Sequence, residues 1–436
     1  MISDPASDLL IPCTNVGVAP KMFGGFTLSP GQTTKVPLSF VSQFGWDTAL
    51  KFDYGDLGHL MSTRNEVGAF TFDWWCPLSM VDGYGRHALS LFKGFQGLGC
   101  EPILRDVGWI DKLFLGSYFE AERYKGMYRV PSKIGAVMSL PYDDHVHNHQ
   151  SIHKIVITQF ETSRIPEKHI QNVNLCDHLI VTSHYQPKVW RRSGCRIPIS
   201  VMTPGVDTDE FGYQERVPDG KFKVLLLGAI TERKNPLGAI RIFQQASDGR
   251  HDWRLTIKTR KTDAISKISQ VAIRDSRINI EVGDSHPDLI KQYYYTHDCL
   301  LWPSKGEGVG LPPLEAMSTG MELVCSANSG MLDYVNDAHC YSIKTSHMEP
   351  ADGPGGFSHD TIGKDGNVVP GYVEMFGAVG EWWVPDEDHA IKQLRRCFDH
   401  WAQGSGKGRL GAEYVRKYHT LASQASSVLK ILMKYE

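Results

Sequence analysis

Glu307-Gly308-Val309-Gly310-Leu311-Pro312-Pro313-Leu314-Glu315 is the stretch that decides the fold. It follows an apolar, strand-like run, Cys299-Leu300-Leu301-Trp302, and a Pro303-Ser304 break. Gly308 and Gly310 lack a Cβ, so the backbone there can come close to a ligand. Pro312 and Pro313 suit a first helical turn, where a missing N–H costs little. Leu314, Ala316 and Met317 continue as helix formers. The spacing predicts a strand, a glycine loop and an exposed helix N-terminus with a carboxylate on each side. Such a helix end offers free N–H groups and partial positive charge to a phosphate. Glu307 and Glu315 can accept hydrogen bonds from hydroxyls, such as those of a sugar and a ribose. Together these groups describe a pocket for a nucleotide sugar.

An α/β rhythm surrounds this stretch. Val67 to Trp75, Lys133 to Leu140, Lys154 to Phe160 and His178 to Thr182 are strand-like, each followed by a polar or helical stretch. Asp82-Gly83-Tyr84-Gly85-Arg86-His87 has the composition of a glycine turn, and Ala88 to Leu98 has apolar residues at helical spacing. After Thr203-Pro204-Gly205-Val206-Asp207 the rhythm restarts. Lys223 to Gly228, Trp253 to Lys258, Ile278 to Val282, Cys299 to Trp302 and Glu322 to Ser326 form a second strand series. Leu237 to Ala246 and Pro287 to Tyr295 have helical spacing between them. Alternating strands and helices imply parallel sheets covered on both faces. The expected fold class is therefore α/β, with two Rossmann-like doubly wound domains facing a cleft.

Residues 1–65 are rich in Gly, Pro, Ser and Thr, with short apolar runs such as Lys35 to Val41, and are expected as a small β-rich extension. The expected division is 1–65, 66–204, 205–385 and 386–436. The last part is helical from Asp386 to Cys397 and from Leu410 to Tyr435, and is expected to cross back to the first domain. The Gly/Pro-rich Ser346 to Gly380 segment is expected to be a long loop. Hinges are expected near Thr203–Asp207 and Trp382–Asp388.

The chain has 436 residues, a net charge of −3 and 41% hydrophobic residues. That balance favours a globular enzyme over a tail or a nucleic-acid-coating protein. Nine cysteines without a C-x-x-C pair suggest reduced thiols in a cytosol-like compartment. The start, Met1-Ile2-Ser3-Asp4-Pro5, lacks the basic and apolar regions of a signal peptide. No apolar run approaches the roughly 18 residues of a membrane span. A cytoplasmic location follows, with association at a membrane surface left open.

Other strand ends carry candidate chemistry. Arg233 and Lys234 follow the Lys223 to Gly228 strand, where ligands of open α/β sheets bind, and a lysine there can neutralise a phosphate. Gly83, Tyr84, Gly85 and Arg86 occupy the same kind of place in the first domain. Glu161 ends the Lys154 to Phe160 strand. Lys258, Arg260 and Lys261 make a small basic patch. Asp143-Asp144-His145-Val146-His147-Asn148-His149 fits neither H-E-x-x-H nor a zinc finger and is expected to be a polar loop.

From about residue 67 to 400 the chain resembles the retaining glycosyltransferases of GT-B fold with an E-x7-E motif (glycosyl transferases group 1, family 4-like). Glu307 to Glu315 carries the resemblance. It implies that Glu307 holds the donor-sugar hydroxyls and Glu315 the ribose diol, with the backbone of Gly308, Val309, Gly310 and Leu311 lining the sugar and diphosphate. Lys234 falls where the family has a diphosphate-binding lysine. Gly83 to Arg86 matches the first-domain glycine loop, and Leu289 to Trp302 the helix and strand beneath the base. The chain departs from the family at Ala229, where an arginine is frequent; Arg233 or Arg260 would replace its charge. Glu161 stands where many members have a histidine, as in a subset with a Phe-Glu-Ser-like sequence, and Gly320-Met321-Glu322 replaces the usual Gly-x-Pro. The first 65 residues and residues 346–380 have no counterpart.

The resemblance implies a transferase of the hexosyltransferase type. Its donor would be a UDP- or GDP-sugar and its acceptor a free hydroxyl, with Glu307, Lys234 and Glu161 as catalytic residues. No metal or other cofactor is implied, since no Asp-x-Asp cluster sits at a strand end near the motif. Two alternatives stay open: a hydroxylated nucleic-acid base as acceptor, which the net charge does not support, and a non-catalytic binding or scaffold protein on the same fold.

Overall fold

The computed structural model describes residues 10–15, 17, 19–23, 26–37, 50–52, 68–111, 113–127, 129–142, 144–261, 265–352, 361–362, 368–369 and 371–436. Near the N-terminus, Leu10–Asn15 lies between Thr33–Pro37 and Leu50–Phe52, all antiparallel, and Lys21–Phe23 pairs with Phe26–Leu28. Residues 38–41 of the expected apolar run, and residue 67, lie outside the described residues.

The first large sheet consists of β1 (Asp73–Leu78), β2 (Ile103–Ile110), β3 (Ile134–Met138), β4 (His153–Thr158), β5 (His178–Val181) and β6 (Ile199–Val201). Its order is β6-β5-β4-β3-β1-β2, with every pair parallel. Side chains alternate across a strand. Trp74, Cys76 and Leu78 enter the apolar cluster on one face, and Trp75 enters the cluster on the other. Both faces are thus buried, which is why these strands are nearly continuous apolar runs.

Helix α1 (Gly83–Gly97) follows β1 directly. The expected glycine turn at Asp82–His87 is corrected here, because Gly83 to His87 are already helical. Asp82 supplies the reason, its carboxylate accepting from Gly85 N at 2.9 Å as an N-cap. Gly85 is required by packing, since a Cβ there would lie 2.2 Å from the Ser79 carbonyl oxygen.

The second sheet consists of β7 (Phe222–Leu227), β8 (Trp253–Thr259), β9 (Ile278–Val282), β10 (Cys299–Trp302), β11 (Glu322–Ser326) and β12 (Tyr341–Ile343). Its order is β9-β8-β7-β10-β11-β12, again parallel throughout. The strand order reverses between β7 and β10, and such a switch point opens a crevice at the carboxyl ends of the strands. Helix α2 (Pro236–Ala246) follows β7, and α3 (Leu311–Ser318) follows β10. The two domains are Rossmann-like and face one another.

The segment expected as a loop from Ser346 to Gly380 is also corrected. Thr345–Pro350 and Glu381–Pro385 pair as an antiparallel ribbon, and Tyr372–Phe376 is a helix. This arm leaves the second domain and packs on the first. Ala351, Val379 and Trp382 join the first domain's cluster with Trp75, Val137 and Val156. Tyr372 Oη lies 2.8 Å from His169 Nε2. Residues 353–360, 363–367 and 370 of the arm lie outside the described residues.

Helices α4 (Glu387–Ala402) and α5 (Gly408–Tyr418) pack on the second domain, whereas α6 (Leu421–Leu432) packs against α1 in the first. The arm crosses from the first domain back to the second near Trp382–Asp388, and the final return to the first domain lies further on. It occurs at His419–Leu421, where Val206 N donates to His419 O at 2.9 Å and Leu421 N donates to Val206 O at 3.0 Å. The two crossings are hydrogen-bonded to each other because both traverse the same gap.

Candidate active site

A cleft of about 410 Å³ lies between the carboxyl ends of the two sheets. The first domain lines it with Asp82, Tyr84, Arg86 and Glu161, among others, and the second with Ala229, Arg233, Lys234, Lys258, Arg260 and Glu307 to Leu311.

Glu307 is the electrostatic centre. Its side chain is only 6% exposed, so its charge needs close partners. Lys234 Nζ and Ser304 Oγ donate to Oε1 at 2.6 and 2.8 Å, and Arg233 Nη1 donates to Oε2 at 2.8 Å. Burial pushes the carboxyl up, but Arg233 and Lys234 outweigh it and hold Glu307 at about 2. Arg233 Nη2 lies 3.5 Å from Glu161 Oε1 and so joins the two domains. Lys234 Nζ also sits 4.3 Å from the Trp302 ring centroid, a cation–π placement. Glu307, Lys234, Arg233 and Glu161 are thus one network. Sequence reading missed Ser304 and Trp302 as members. Ser304 was legible only as part of a break, and Trp302 only as the end of a strand.

Glu315 belongs to a second pair. Arg86 Nη2 donates to its Oε1 at 2.6 Å, and the buried Tyr294 hydroxyl donates to Oε2. The resemblance leaves Glu315 as a free acceptor; in the structure both of its oxygens already have donors. Glu315 holds the Arg86 guanidinium firmly in its charged form, and burial acts against that.

The glycines of the motif have different tasks. A Cβ on Gly308 would lie 2.4 Å from the Gln159 side chain of the first domain. Its carbonyl accepts from Thr182 Oγ1 at 3.1 Å. Gly308 thus serves the closeness of the two domains, where the sequence suggested only approach to a ligand. Gly310 has φ +81°, a left-handed conformation that favours glycine. It is the N-cap of α3 and no side chain caps that helix. Pro312 and Pro313 sit in its first turn. Val309 and Leu311 complete the wall of the cleft.

Tyr84 Oη accepts from Gln159 N at 3.1 Å, which fixes it against β4. A Cβ on Gly83 would meet nothing within 4 Å. Lys258 Nζ donates to Gly283 O at 2.8 Å, while Arg260 lies in the wall with Ala229, and Lys261 is exposed. Glu322 is buried in β11 and accepts from Lys407 N and Gly408 N, both at 2.9 Å. Residues 144–149 are not in the cleft wall. His149 stacks on Trp75 at 5.8 Å, and Asp144–Val146 is a 3-10 turn. Residue 143 lies outside the described residues. Among the described residues no group of His, Cys, Asp and Glu side chains is placed to hold a metal ion. None of their helices is long and apolar enough to cross a membrane.

Residues 207–351 match the family Glycosyl transferases group 1. This range contains Lys234, Glu307 and Glu315. No curated protein sequence matches the chain. Among solved structures, sucrose-phosphate synthase from Thermosynechococcus elongatus is similar at 13% identity and a TM-score of 0.59, covering 84% of this chain and 100% of its own. A glycosyltransferase from Rickettsia africae has 13% identity and a TM-score of 0.55 over 84% and 98% of the two chains. Anabaena HepE in complex with UDP-glucose has 10% identity and a TM-score of 0.56 over 84% and 99%. The fold is that of the two-domain GT-B glycosyltransferases.

Proposed function

We propose that this protein is a glycosyltransferase that moves a sugar from a nucleoside diphosphate sugar to an acceptor hydroxyl, with retention at the anomeric carbon. The observation that carries the proposal is the uncapped N-terminus of α3, set between Glu307 and Glu315 and beside Lys234. The N–H groups of Gly310 and Leu311 and the positive end of the helix dipole suit the diphosphate, while Pro312 and Pro313 have no N–H to offer. Lys234, Arg233 and the helix end stabilise the charge that develops on the leaving group, a preorganised electrostatic role. Glu307 keeps one acceptor site, on Oε2, for a sugar hydroxyl, since an ionised carboxylate offers about four and Lys234, Ser304 and Arg233 take the others. Glu161 stands on the opposite wall, where the acceptor enters. Arg233 and Arg86 stand in for the cation missing at Ala229. The neutralising charge is thus assigned to the chain itself, and turnover is expected to persist in EDTA; loss on chelation with recovery in Mg²⁺ or Mn²⁺ counts against that assignment.

The test is a donor screen by thermal shift and calorimetry. UDP-glucose is the first donor to try, because HepE, of the same fold, is solved with it, and GDP-sugars follow. A donor held 100-fold above its dissociation constant stabilises the fold by about 2.7 kcal/mol. No shift with any nucleotide sugar, together with no slow donor hydrolysis, overturns the proposal.

A further inference from the structure

We infer that Arg86 is an exchangeable reader of the donor's diphosphate, held on Glu315 until a ribose displaces it. The inference rests on the nucleotide-sugar reading of the cleft and adds to it a mechanism for preferring diphosphates over nucleosides.

Arg86 stands one residue after Gly85 in the first turn of α1, so the first domain presents it across the cleft. Its side chain is 23% exposed and lines the cavity, whereas Glu315 is 4% exposed behind the wall of α3. Glu315 lies four residues into α3 from Leu311, a little over one helical turn and about 6 Å along the axis from the open N-terminus. A ribose at Glu315 therefore places the attached diphosphate at that helix end, within the arc an arginine side chain sweeps.

A ribose diol takes the place of the guanidinium N–H on Glu315 Oε1, while Tyr294 keeps its hydrogen bond to Oε2. The carboxylate stays fully bonded. The guanidinium loses its counter-charge, and a half-buried cation without a partner is costly. A diphosphate in the same ligand removes that cost, because phosphate oxygens match the guanidinium fork as a carboxylate does. Of the other cations of the wall, Arg260 stands exposed at the second domain's side, and the buried ones are engaged. Lys234 and Arg233 share Glu307, and Lys258 bonds the Gly283 carbonyl. A nucleoside alone must break the Arg86–Glu315 pair uncompensated. A nucleoside diphosphate exchanges one anion for another.

The experiment is calorimetry of the full chain and its Arg86→Gln variant with uridine and uridine diphosphate, or with the guanosine pair if guanine donors bind. The wild-type chain should bind the diphosphate far more tightly than the nucleoside. In Arg86→Gln that advantage should shrink at least tenfold, through weaker diphosphate binding and with nucleoside binding held or improved. Arg86→Lys keeps the charge but loses the fork, and should lie between the two; it also serves if the glutamine variant does not fold. Parallel weakening of both ligands makes Arg86 a clasp between the domains and overturns the inference, as does an unchanged advantage. A wild-type chain that binds neither ligand overturns the nucleotide-sugar reading itself, which is a different result.

Discussion

Two helix N-termini face the cleft from opposite domains, and they end differently. Helix α1 is closed by Asp82, whose carboxylate accepts from Gly85 N. Helix α3 begins at Gly310 with no side-chain cap. Both follow a parallel strand, and both carry glycine. Only the second leaves its positive end for an outside anion; the first already has an anion of its own. Helix α2, which also starts near the cleft, is closed too, since Asn235 Oδ1 accepts from Gly238 N at 3.2 Å. The identity of the cap residue, and not the glycine content of the loop, separates a structural helix start from a candidate phosphate site.

The comparison breaks most readily at the cation beside the open end. Lys234→Ala should reduce kcat by about 10²–10³, since removal of one preorganised charge-stabilising donor typically costs about 3 kcal/mol. A folded variant with near-normal kcat would make the open helix end irrelevant to turnover.

The caps themselves give the next contrast. Gly310→Ala must hold φ +81° and places a Cβ 2.6 Å from the Tyr334 hydroxyl, so a loss of about 1–3 kcal/mol in stability is expected. Gly83→Ala meets nothing within 4 Å and should be neutral or slightly stabilising by helix propensity. Urea denaturation of both variants measures the difference, and equal losses would erase the distinction between the two starts.

The closed helix also carries a titratable group. His87 in α1 is buried, and burial lowers it to about 4, against the hydrogen bond with Gln424. The unfolded chain takes up this proton near pH 6.5, so between pH 6.5 and 4 the unfolded state binds more protons and stability falls as pH falls. From pH 6.5 to 5 this residue should account for about 2 kcal/mol. A His87→Asn variant should show a shallower loss; the same slope as wild type would place the titration elsewhere.

The smallest loss of stability is expected at the cap of α1. Asp82→Ala should cost about 1 kcal/mol of stability while leaving diphosphate binding unchanged or slightly tighter, because it removes a negative charge from the cleft. Weaker diphosphate binding in a folded variant would show that the closed end takes part in holding the donor.

The fold was legible where its cause is local. The Phe222–Leu227 run is a buried parallel strand because its apolar residues are contiguous, and Gly310 with Pro312 and Pro313 marks a helix start within four residues. The Arg86–Glu315 pair joins positions 229 residues apart, and no spacing rule reaches that far. Gly85 looked like a ligand-approach glycine, but its constraint is the Ser79 carbonyl, visible only once β1 and α1 are packed. The segment from Ser346 to Gly380 looked like a loop because Ala351 and Val379 are isolated apolar residues in a Gly/Pro-rich stretch. Their apolar partners belong to the other domain.

That arm limits how the molecule could be recombined. Trp382 is 4% exposed in the first domain's cluster although it belongs to the second half of the sequence, and α6 covers α1 from the chain's far end. A graft of the donor-side half alone onto a foreign partner would carry Trp382 with no apolar seat, and the first half left behind would lose both covers. Any interchange of halves has to move residues 345–385 and 421–432 as cargo of the first domain, or redesign the faces they shield.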